Sequence, residues 1–552
     1  MTAVPQMRTP VDPLPGRRRR ERVRTGAATG VAVLAVVGLL SAISPPLRRR
    51  LDVLLDVLPE TVPPTAATTL VLVSVGLLLM ARGLRRGQRL AWLGTLVLLG
   101  VSVVLHLVKG LDVEEAVLVA VAAGWLASQR NVFSVLPTRA AVRRALVLGL
   151  SGGALAVLAA RVLTAAVPLR HLHRAEQLLT PMSLAAAVGL VVAGAWVLLS
   201  PRHPHRLTPA EHRAERERAR AIVEEHGSGT LDWFALRDDK DWFFTGRSVV
   251  AHAVRGGVCL VSPDPIGPAD ERTEVWAEFL EHVESHGWSV AVLGARPDQL
   301  ALYEASGLRA VYLGDEAVVD CTAFSLAGAS RKSLRQAVGR VARCGYTTTF
   351  HDPAHLDSRL RAELEALRGD SRRGPDERGF SMTLSRLFDP ADEGMLLAVT
   401  TNADGRPDAF VHWVPAPGID GWSLDVMRRR LGADVPNGVV DACVVATVDE
   451  VLRRGGRSLS LNFAPMRSRL DGDAAGGALA DLTRPLLQQL SHRTQMSSLA
   501  AFNDKYGPRW EPRYVVLDAV EYVAAQGLVM ADAEGVTELP VVGRFVRASR
   551  RR

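Results

Sequence analysis

The stretch Gly421-Trp-Ser-Leu-Asp-Val-Met-Arg428, continued by Arg429 and Arg430, sets a carboxylate and a guanidinium three residues apart. Trp422, Leu424 and Val426 alternate with Ser423, Asp425 and Met427. That pattern predicts a half-buried strand delivering Asp425 and Arg428 to one end of a sheet. Such a pair can orient a cationic group, take a proton or grip an anion, and it can equally be an ordinary sheet-edge ion pair. With an arginine beside it, Asp425 is expected to have a lowered pKa and to be a weak base. Lysine is the second signal. Of 66 basic residues only Lys109, Lys240, Lys332 and Lys505 are lysines, so each is a candidate for a place that the planar arginine fork does not fit.

Several classes are excluded by what is missing. Cys259, Cys321, Cys344 and Cys443 have neither zinc-ligand nor disulfide-framework spacing. The close histidine pairs, His171 with His173 and His203 with His205, lack a carboxylate at ligand spacing, so no metal or cofactor is expected. There is no G-x-S-x-G, Walker A or H-E-x-x-H sequence. Gln336 to Ala342 superficially fits the Q-x-x-G-x-A phosphate loop of coenzyme A acetyltransferases, but it lies inside a helical pattern. A helix carrying Arg331, Lys332, Arg335 and Arg340 reads better as a surface for polyphosphate.

The elements that must position these residues fall into two halves. The chain has 552 residues and a net charge of +8. Residues 1–25 form a basic cytoplasmic tail, and 26–200 carry six apolar segments, near Gly26–Ile43, Ala66–Leu84, Leu90–Val108, Val113–Ala127, Ala145–Leu169 and Ser183–Leu199. Arginine-rich loops at 82–89 and 130–144 put both ends in the cytoplasm of a multi-pass plasma-membrane protein, in keeping with unpaired cysteines. Arg161 lies within the fifth segment, and Lys109, Asp112, Glu114 and Glu115 stand at the mouth of the fourth, as candidates for lipid handling. The loop Arg48–Val57 has the spacing of an interfacial helix. Residues 201–228 read as a solvated juxtamembrane connector. From 229, strand and helix patterns alternate, which predicts two mixed α/β units at 229–345 and 346–520, the second carrying the site, then a basic segment at 521–552.

The second half resembles the catalytic domain of bacterial phosphatidylglycerol lysyltransferases, the multiple peptide resistance factor family. The stretches that carry the resemblance are Leu231-Asp-Trp-Phe-Ala-Leu-Arg-Asp-Asp-Lys240, Val261-Ser-Pro-Asp-Pro-Ile-Gly-Pro268, Arg331-Lys-Ser-Leu-Arg-Gln-Ala337, Gly379-Phe-Ser-Met382, Ser423 to Arg428, Pro436-Asn-Gly438, Leu461-Asn-Phe-Ala-Pro465 and Phe502 to Trp510. The resemblance implies an α-helical transmembrane bundle followed by an α/β (α+β) cytoplasmic domain of tandem GNAT-like acyltransferase folds. It also implies transfer of a lysyl or alanyl group from aminoacyl-tRNA to phosphatidylglycerol, which reduces negative surface charge and resists cationic antimicrobial peptides.

By the same resemblance Asp425, Arg428 and Lys505 are the catalytic candidates, and Lys240, Asp264, Arg331, Lys332, Arg335, Ser381, Asn437 and Asn462 the substrate-binding ones. Exchange of one ester for another needs no ATP. It needs positioning, an acceptor for the glycerol proton and donors for the oxyanion. Asp425 is expected to orient the aminoacyl ammonium, or else to act as base, with Arg428 and Lys505 on the lipid phosphate. Trp422, Phe502, Tyr506 and Trp510 line an apolar entrance or pack the core. The longest family members carry further spans that act as a flippase, and some actinobacterial relatives carry a fused lysyl-tRNA synthetase. With six spans before the domain and no synthetase module, whether the spans flip the product stays open, and charged tRNA is expected from elsewhere. Two alternatives stay open: another lipid hydroxyl as acceptor, from a diacylglycerol or glycolipid, and a non-catalytic lipid-binding or translocating protein.

Overall fold

The computed structural model describes residues 14–43, 62–110, 112–137, scattered positions between 139 and 204, then 206–370, 379–465, 496–518, 523–534, 538–539 and 543–544. Two compact units emerge, one from the first 204 residues with 281–289 and one from the remainder.

In the first unit, helices α1 (Leu14–Ile43), α2 (Val62–Arg85), α3 (Arg89–Gly110) and α4 (Val113–Ser128) pack through Ala27, Val31, Ala35, Val73, Leu77, Leu99 and Val119. Val97 and Val121 are about two-thirds exposed, which is the outward apolar face that a bilayer would cover. Two stretches, Gly16–Ser41 and Arg89–Val108, are long and apolar enough to cross a membrane. The first four expected segments are helical. Most of the fifth and sixth lie outside the described residues, as do Arg161, the loop 48–57, His171, His173, His203, His205 and the chain beyond Arg544. At the mouth of the fourth segment, His106 Nδ1 lies 2.8 Å from Glu115, which also accepts from Ser41 at 2.7 Å.

In the second unit, one sheet of eleven strands runs in the order β1-β2-β3-β4-β11-β5-β10-β9-β8-β7-β6. The strands are β1 (Asp241–Thr245), β2 (Ser248–Arg255), β3 (Val258–Val261), β4 (Ser289–Ala295), β5 (Arg309–Asp320), β6 (Thr347–His351), β7 (Leu396–Thr401), β8 (Pro407–Ala416), β9 (Gly421–Arg429), β10 (Ser458–Pro465) and β11 (Arg509–Leu517). The two expected α/β units therefore share a continuous sheet, and the last long strand, β11, returns to lie between β4 and β5 in the first half.

Helix α5 (Pro209–His226) corrects the expectation of a solvated connector. Thr208 and Glu211 form a capping box and Pro209 opens the helix. Its Ala219 and Val223 pack with Trp233, Phe234 and Trp242, and buried Arg216 donates to Asp392 at 2.7 Å and to the Leu236 carbonyl at 2.8 Å. Dense charge in the sequence hid a three-residue inward stripe. The remaining helices include α6 (Arg272–His286), α7 (Leu300–Ala305), α8 (Lys332–Arg343), α9 (Ser358–Asp370), α10 (Val439–Arg453), α11 (Met496–Asp504) and α12 (Val523–Ala533).

Around β7, β8 and β9 the sheet has two distinct faces. On one, Leu396, Val411, Trp413 and Leu424 pack with Cys443, Val444 and Val448 of α10. On the other, Leu397, Val399, Phe410 and Val426 pack with Leu364 and Leu367 of α9. Burial of this kind, about 25 cal/mol per Å² of apolar surface, fixes which side chain of each strand faces which helix.

Candidate active site

Leu424 and Val426 belong to opposite faces although they are two residues apart, which strict alternation forbids. The cause is a register shift in the β8–β9 ladder, where Trp413 pairs with Leu424 and His412 with Val426, leaving Asp425 as the extra residue. This bulge turns Asp425 toward the α9 face, and the alternation expected from sequence breaks at the residue of most interest. Its side chain is fully buried. One carboxylate oxygen accepts from the Leu384 backbone N–H at 3.0 Å and the other meets His412 Nδ1 at 2.8 Å. The expected Asp425–Arg428 pair is not what forms. Arg428 sits across from Phe410 and donates to the Met427 carbonyl at 2.9 Å.

An Asp–His pair has chemistry that neither residue has alone. A carboxylate on Nδ1 holds that nitrogen protonated and leaves Nε2 as the lone-pair nitrogen, and the negative charge stabilises the imidazolium that forms on proton uptake. Among the described residues Nε2 has no hydrogen-bond partner.

β9 and β10 run parallel over only three pairs, Gly421–Ser423 against Ser458–Ser460, yet both continue beyond. They part next to Asp425. Asn462 stands in the opening, with the left-handed φ of 67° that asparagine tolerates better than most residues. Its amide donates to the Leu424 carbonyl at 3.0 Å and the Met382 carbonyl at 3.2 Å, tying β9 to the 379–384 turn. Behind it, Ser460 donates to Glu316 at 2.5 Å, and Glu316 pairs with Arg513, whose Nε lies 2.8 Å away and whose other nitrogen donates to Thr230 at 2.7 Å. Burial pushes the Glu316 carboxyl up, but Arg513 and the hydroxyls of Ser460 and Thr230 outweigh that and hold it below its ordinary value.

Lys505 lies elsewhere. Its Nζ is 3.2 Å and 3.3 Å from the two oxygens of Asp441, and Tyr506 donates to the same carboxylate at 2.8 Å. Asp441 stands in the first turn of α10, where a negative charge is favoured. Since α10 packs on the face opposite α9, the sheet separates Lys505 from Asp425, and the three catalytic candidates form two groups. Arg331, just before α8, donates to the Lys505 carbonyl at 2.5 Å. Gly438 opens α10 at φ 103°, and a Cβ there would come within 2.7 Å of Ala337, so only glycine lets α8 and α10 approach this closely. Asn437 beside it is exposed, as are Lys332 and Arg335.

Lys240, Asp264 and Ser381 are interior anchors rather than exposed ligand groups. Lys240 is fully buried, donates to the Phe234 and Ser262 carbonyls at 2.9 and 2.7 Å and lies over the Phe380 ring. Asp264 accepts from Tyr303 at 2.6 Å and from the Arg296 N–H at 3.1 Å, and burial pushes its carboxyl up to about 6. Ser381 donates through both N–H and hydroxyl to Glu534.

Burial lowers the Lys240 ammonium from 10.5 to about 7. Below pH 7 both folded and unfolded chains carry this charge. Between pH 7 and the unfolded pKa only the unfolded chain holds the proton, so the contribution of Lys240 to stability rises with pH across that window. Thermal unfolding of the full chain in detergent should show this rise from pH 7 to 9, and Lys240→Met should flatten it. An unchanged slope in the variant would assign the rise to other groups.

Sequence reasoning missed His412, Asp441, Glu316, Arg513 and Ser460. A lone histidine in Val411-His-Trp-Val414 reads as a packed strand residue, and only the bulge brings a carboxylate to it. Glu316 and Arg513 are nearly two hundred residues apart and carry no local signal.

Comparison with known proteins places the chain in a family. Residues 220–517 match the family described as phosphatidylglycerol lysyltransferase, C-terminal, and residues 19–203 match the transmembrane region of lysyl-tRNA synthetase. The lysylphosphatidylglycerol biosynthesis bifunctional protein LysX of Mycobacterium avium is 34% identical over 362 residues, covering 65% of this chain and 30% of that protein. The corresponding protein of Mycolicibacterium vanbaalenii is 36% identical over 366 residues, covering 65% and 32%. This chain thus spans about a third of the length of the curated relatives it matches. Among solved structures, L-PGS from Bacillus licheniformis superposes with a TM-score of 0.52 at 24% identity, covering 58% of this chain and 96% of that one. The C-terminal domain of a lysylphosphatidylglycerol synthetase from Agrobacterium fabrum gives 0.50 at 25% identity, covering 59% and 99%. With a transmembrane-region match at one end and the synthase match over more than half its length, the chain is a membrane protein that belongs to the phosphatidylglycerol lysyltransferase family.

Proposed function

We propose that this protein transfers an aminoacyl group, lysyl or alanyl, from aminoacyl-tRNA to phosphatidylglycerol. The observation that carries the reading is the Asp425–His412 pair beside the parting of β9 and β10, in a chain of this family. In the reaction, His412 Nε2 takes the proton of a glycerol hydroxyl as its oxygen attacks the aminoacyl carbonyl. The tetrahedral intermediate then expels the ribose oxygen, which leaves with that proton from the imidazolium. One ester replaces another, and neither ATP nor coenzyme A enters the balance. Asp425 acts through the imidazole as a positioning residue. Its other oxygen accepts from the Leu384 N–H, which ties the carboxylate to the 379–384 turn and fixes the direction in which it presents to the imidazole. Arg428 serves the lipid phosphate as a fork.

The product carries a cationic or neutral headgroup in place of an anionic one. Each basic residue of a peptide gains about 1 kcal/mol near an anionic surface, so the exchange weakens attack by cationic peptides. The six-span arrangement with both ends cytoplasmic belongs to the same reading, since charged tRNA is met only there. The full chain in detergent, given charged tRNA and phosphatidylglycerol without ATP or coenzyme A, should form aminoacyl-phosphatidylglycerol. Product on a diacylglycerol or glycolipid instead would move the acceptor, and a requirement for acetyl-coenzyme A would overturn the reading.

Lys505 is the compact charge of the second group, on the donor side. Removing a charged hydrogen bond costs about 1.5–3 kcal/mol, so Lys505→Ala should lower transfer about ten- to hundredfold. Arginine in its place keeps the sign but not the fit against Asp441 and Phe502, and it should not restore the rate. Initial rates across both substrates decide the assignment. A rise in the donor KM supports it, a rise confined to the lipid KM returns Lys505 to the lipid phosphate, and wild-type kinetics remove it from the site.

A further inference from the structure

We infer that Glu534, at the end of α12, is a positioning residue for the transfer, because it latches the 379–384 turn that holds Asp425. The inference rests on the Asp425–His412 reading above. The family match ends at residue 517, and α12 lies beyond it. The helix carries no basic residue, and the arginines of the C-terminal segment all come after it. Its Val529, Met530 and Ala533 pack with Leu260 of β3, Val515 and Leu517 of β11 and Phe380 of the turn. The Glu534 N–H donates to the Met530 carbonyl at 2.9 Å, which keeps this residue on the last turn of the helix. From there one carboxylate oxygen accepts from both the N–H and the hydroxyl of Ser381, at 3.0 and 2.7 Å.

The path from Glu534 to the base is short. Ser381 stands three residues before Leu384, whose N–H goes to Asp425 at 3.0 Å, and the Met382 carbonyl between them takes the Asn462 amide at 3.2 Å. A second line from α12 reaches the same turn. Asp532 pairs with Arg255 at 3.3 Å, Arg255 with Asp239 at 2.9 Å and Asp239 with Arg237 at 2.7 Å. Arg237 then donates to the Gly379 and Thr383 carbonyls, at 2.9 and 3.1 Å, so it spans the turn while Glu534 holds the residue in its middle. Among the described residues the turn's own bonds are those of Thr383 to the Gly379 carbonyl, at 3.0 and 3.2 Å, so its shape depends on these outside partners. Asp425 is the extra residue of a bulge, and the Leu384 N–H sets its direction. Misplacement of a catalytic group by about 1 Å can lower a rate about 10²-fold, so a loose turn weakens the base through the carboxylate that orients it. The latch needs an acceptor at Glu534, and the carbonyl oxygen of a glutamine supplies one.

The test measures initial rates of the full chain in detergent across charged tRNA and phosphatidylglycerol. Glu534→Leu removes the acceptor at similar bulk, and kcat should fall about tenfold with both KM values within about twofold of wild type. Glu534→Gln should return kcat to within about threefold of wild type, because its amide oxygen accepts from Ser381. Trp276→Phe, which removes a buried hydrogen bond to Ser306 far from the turn, should lower the melting temperature and leave kcat unchanged. The double variant decides between positioning and mere stability. In a His412→Asn background Glu534→Leu should lower the rate no further, since the base that it positions is gone, while the two effects on melting temperature add. Should Glu534→Leu not fold, Ser381→Ala, which keeps the N–H bond and loses the hydroxyl, carries the same cycle with a loss of about threefold. A loss of the same size in the His412→Asn background would make Glu534 a structural element, and wild-type kcat in both Glu534→Leu and Ser381→Ala would remove the latch. Either result overturns the inference and leaves the proposed reaction standing. If wild type forms no aminoacyl-phosphatidylglycerol, the reaction itself is wrong and the latch falls with it.

Discussion

Replacing His412 by asparagine should lower transfer about 10²- to 10⁴-fold while the chain stays folded, because it removes a general base and little else. The amide nitrogen of asparagine reaches the position of Nδ1 and can still donate to Asp425, so the buried carboxylate keeps both of its partners. Nothing in asparagine replaces Nε2. The loss should appear in kcat, with both KM values close to wild type, since an interaction made only in the transition state is being removed. His412→Ala should regain part of its rate with added imidazole, a recovery that a purely structural histidine would not show. Asp425→Asn should also lose kcat, because an amide can hold the imidazole in the wrong tautomer. If that variant instead shows a raised donor KM and normal kcat, the carboxylate orients the aminoacyl ammonium, the first of the two roles that the family resemblance leaves for it. Full activity in His412→Asn would end the base assignment.

Structure that is set by local spacing can be read from this sequence, and structure set by distant partners cannot. The strand around Trp422–Met427 and the basic helix beginning near Lys332 are legible because apolar spacing repeats within ten residues. β1 carries little strand signal in sequence, because Trp242-Phe-Phe244 follows a charged run and ends at once in a turn. Family resemblance located Asp425 and Lys505 but could not say that the sheet lies between them. That follows from which core each flanking helix joins. The bulge at Asp425 is equally invisible in sequence, since it depends on how β8 registers with β9, and it decides that the carboxylate meets a histidine rather than Arg428. Lys240 shows the opposite error. Its rarity marked a special place, and the place is a fully buried anchor on two carbonyls.

Breaking the Glu316–Arg513 pair should have the largest effect on stability and should separate folding from positioning. Both side chains are nearly inaccessible, at 0% and 4% exposure, and they join β5 to β11 near the middle of the sheet. Glu316→Gln leaves the guanidinium buried without its counter-charge, a change that costs about 3–5 kcal/mol and lowers the melting temperature by roughly 10 °C. Since the Glu316 carboxyl is held below its ordinary value, the stability it provides is present above the unfolded carboxylate pKa and is lost as pH falls through the folded one. The penalty of Glu316→Gln should therefore shrink in acid. Glu316→Leu combined with Arg513→Met removes both charges and should recover most of the stability, leaving about 1 kcal/mol each for the hydroxyls of Ser460 and Thr230. Activity should not recover with it. Ser460 would lose the partner that fixes it, and Ser460 holds the Asn462 N–H while Asn462 holds the Leu424 carbonyl next to Asp425. A double variant with restored melting temperature and a kcat still reduced about tenfold or more would show that the network positions the β9 opening. Recovery of both together would reduce the pair to a structural element of the sheet.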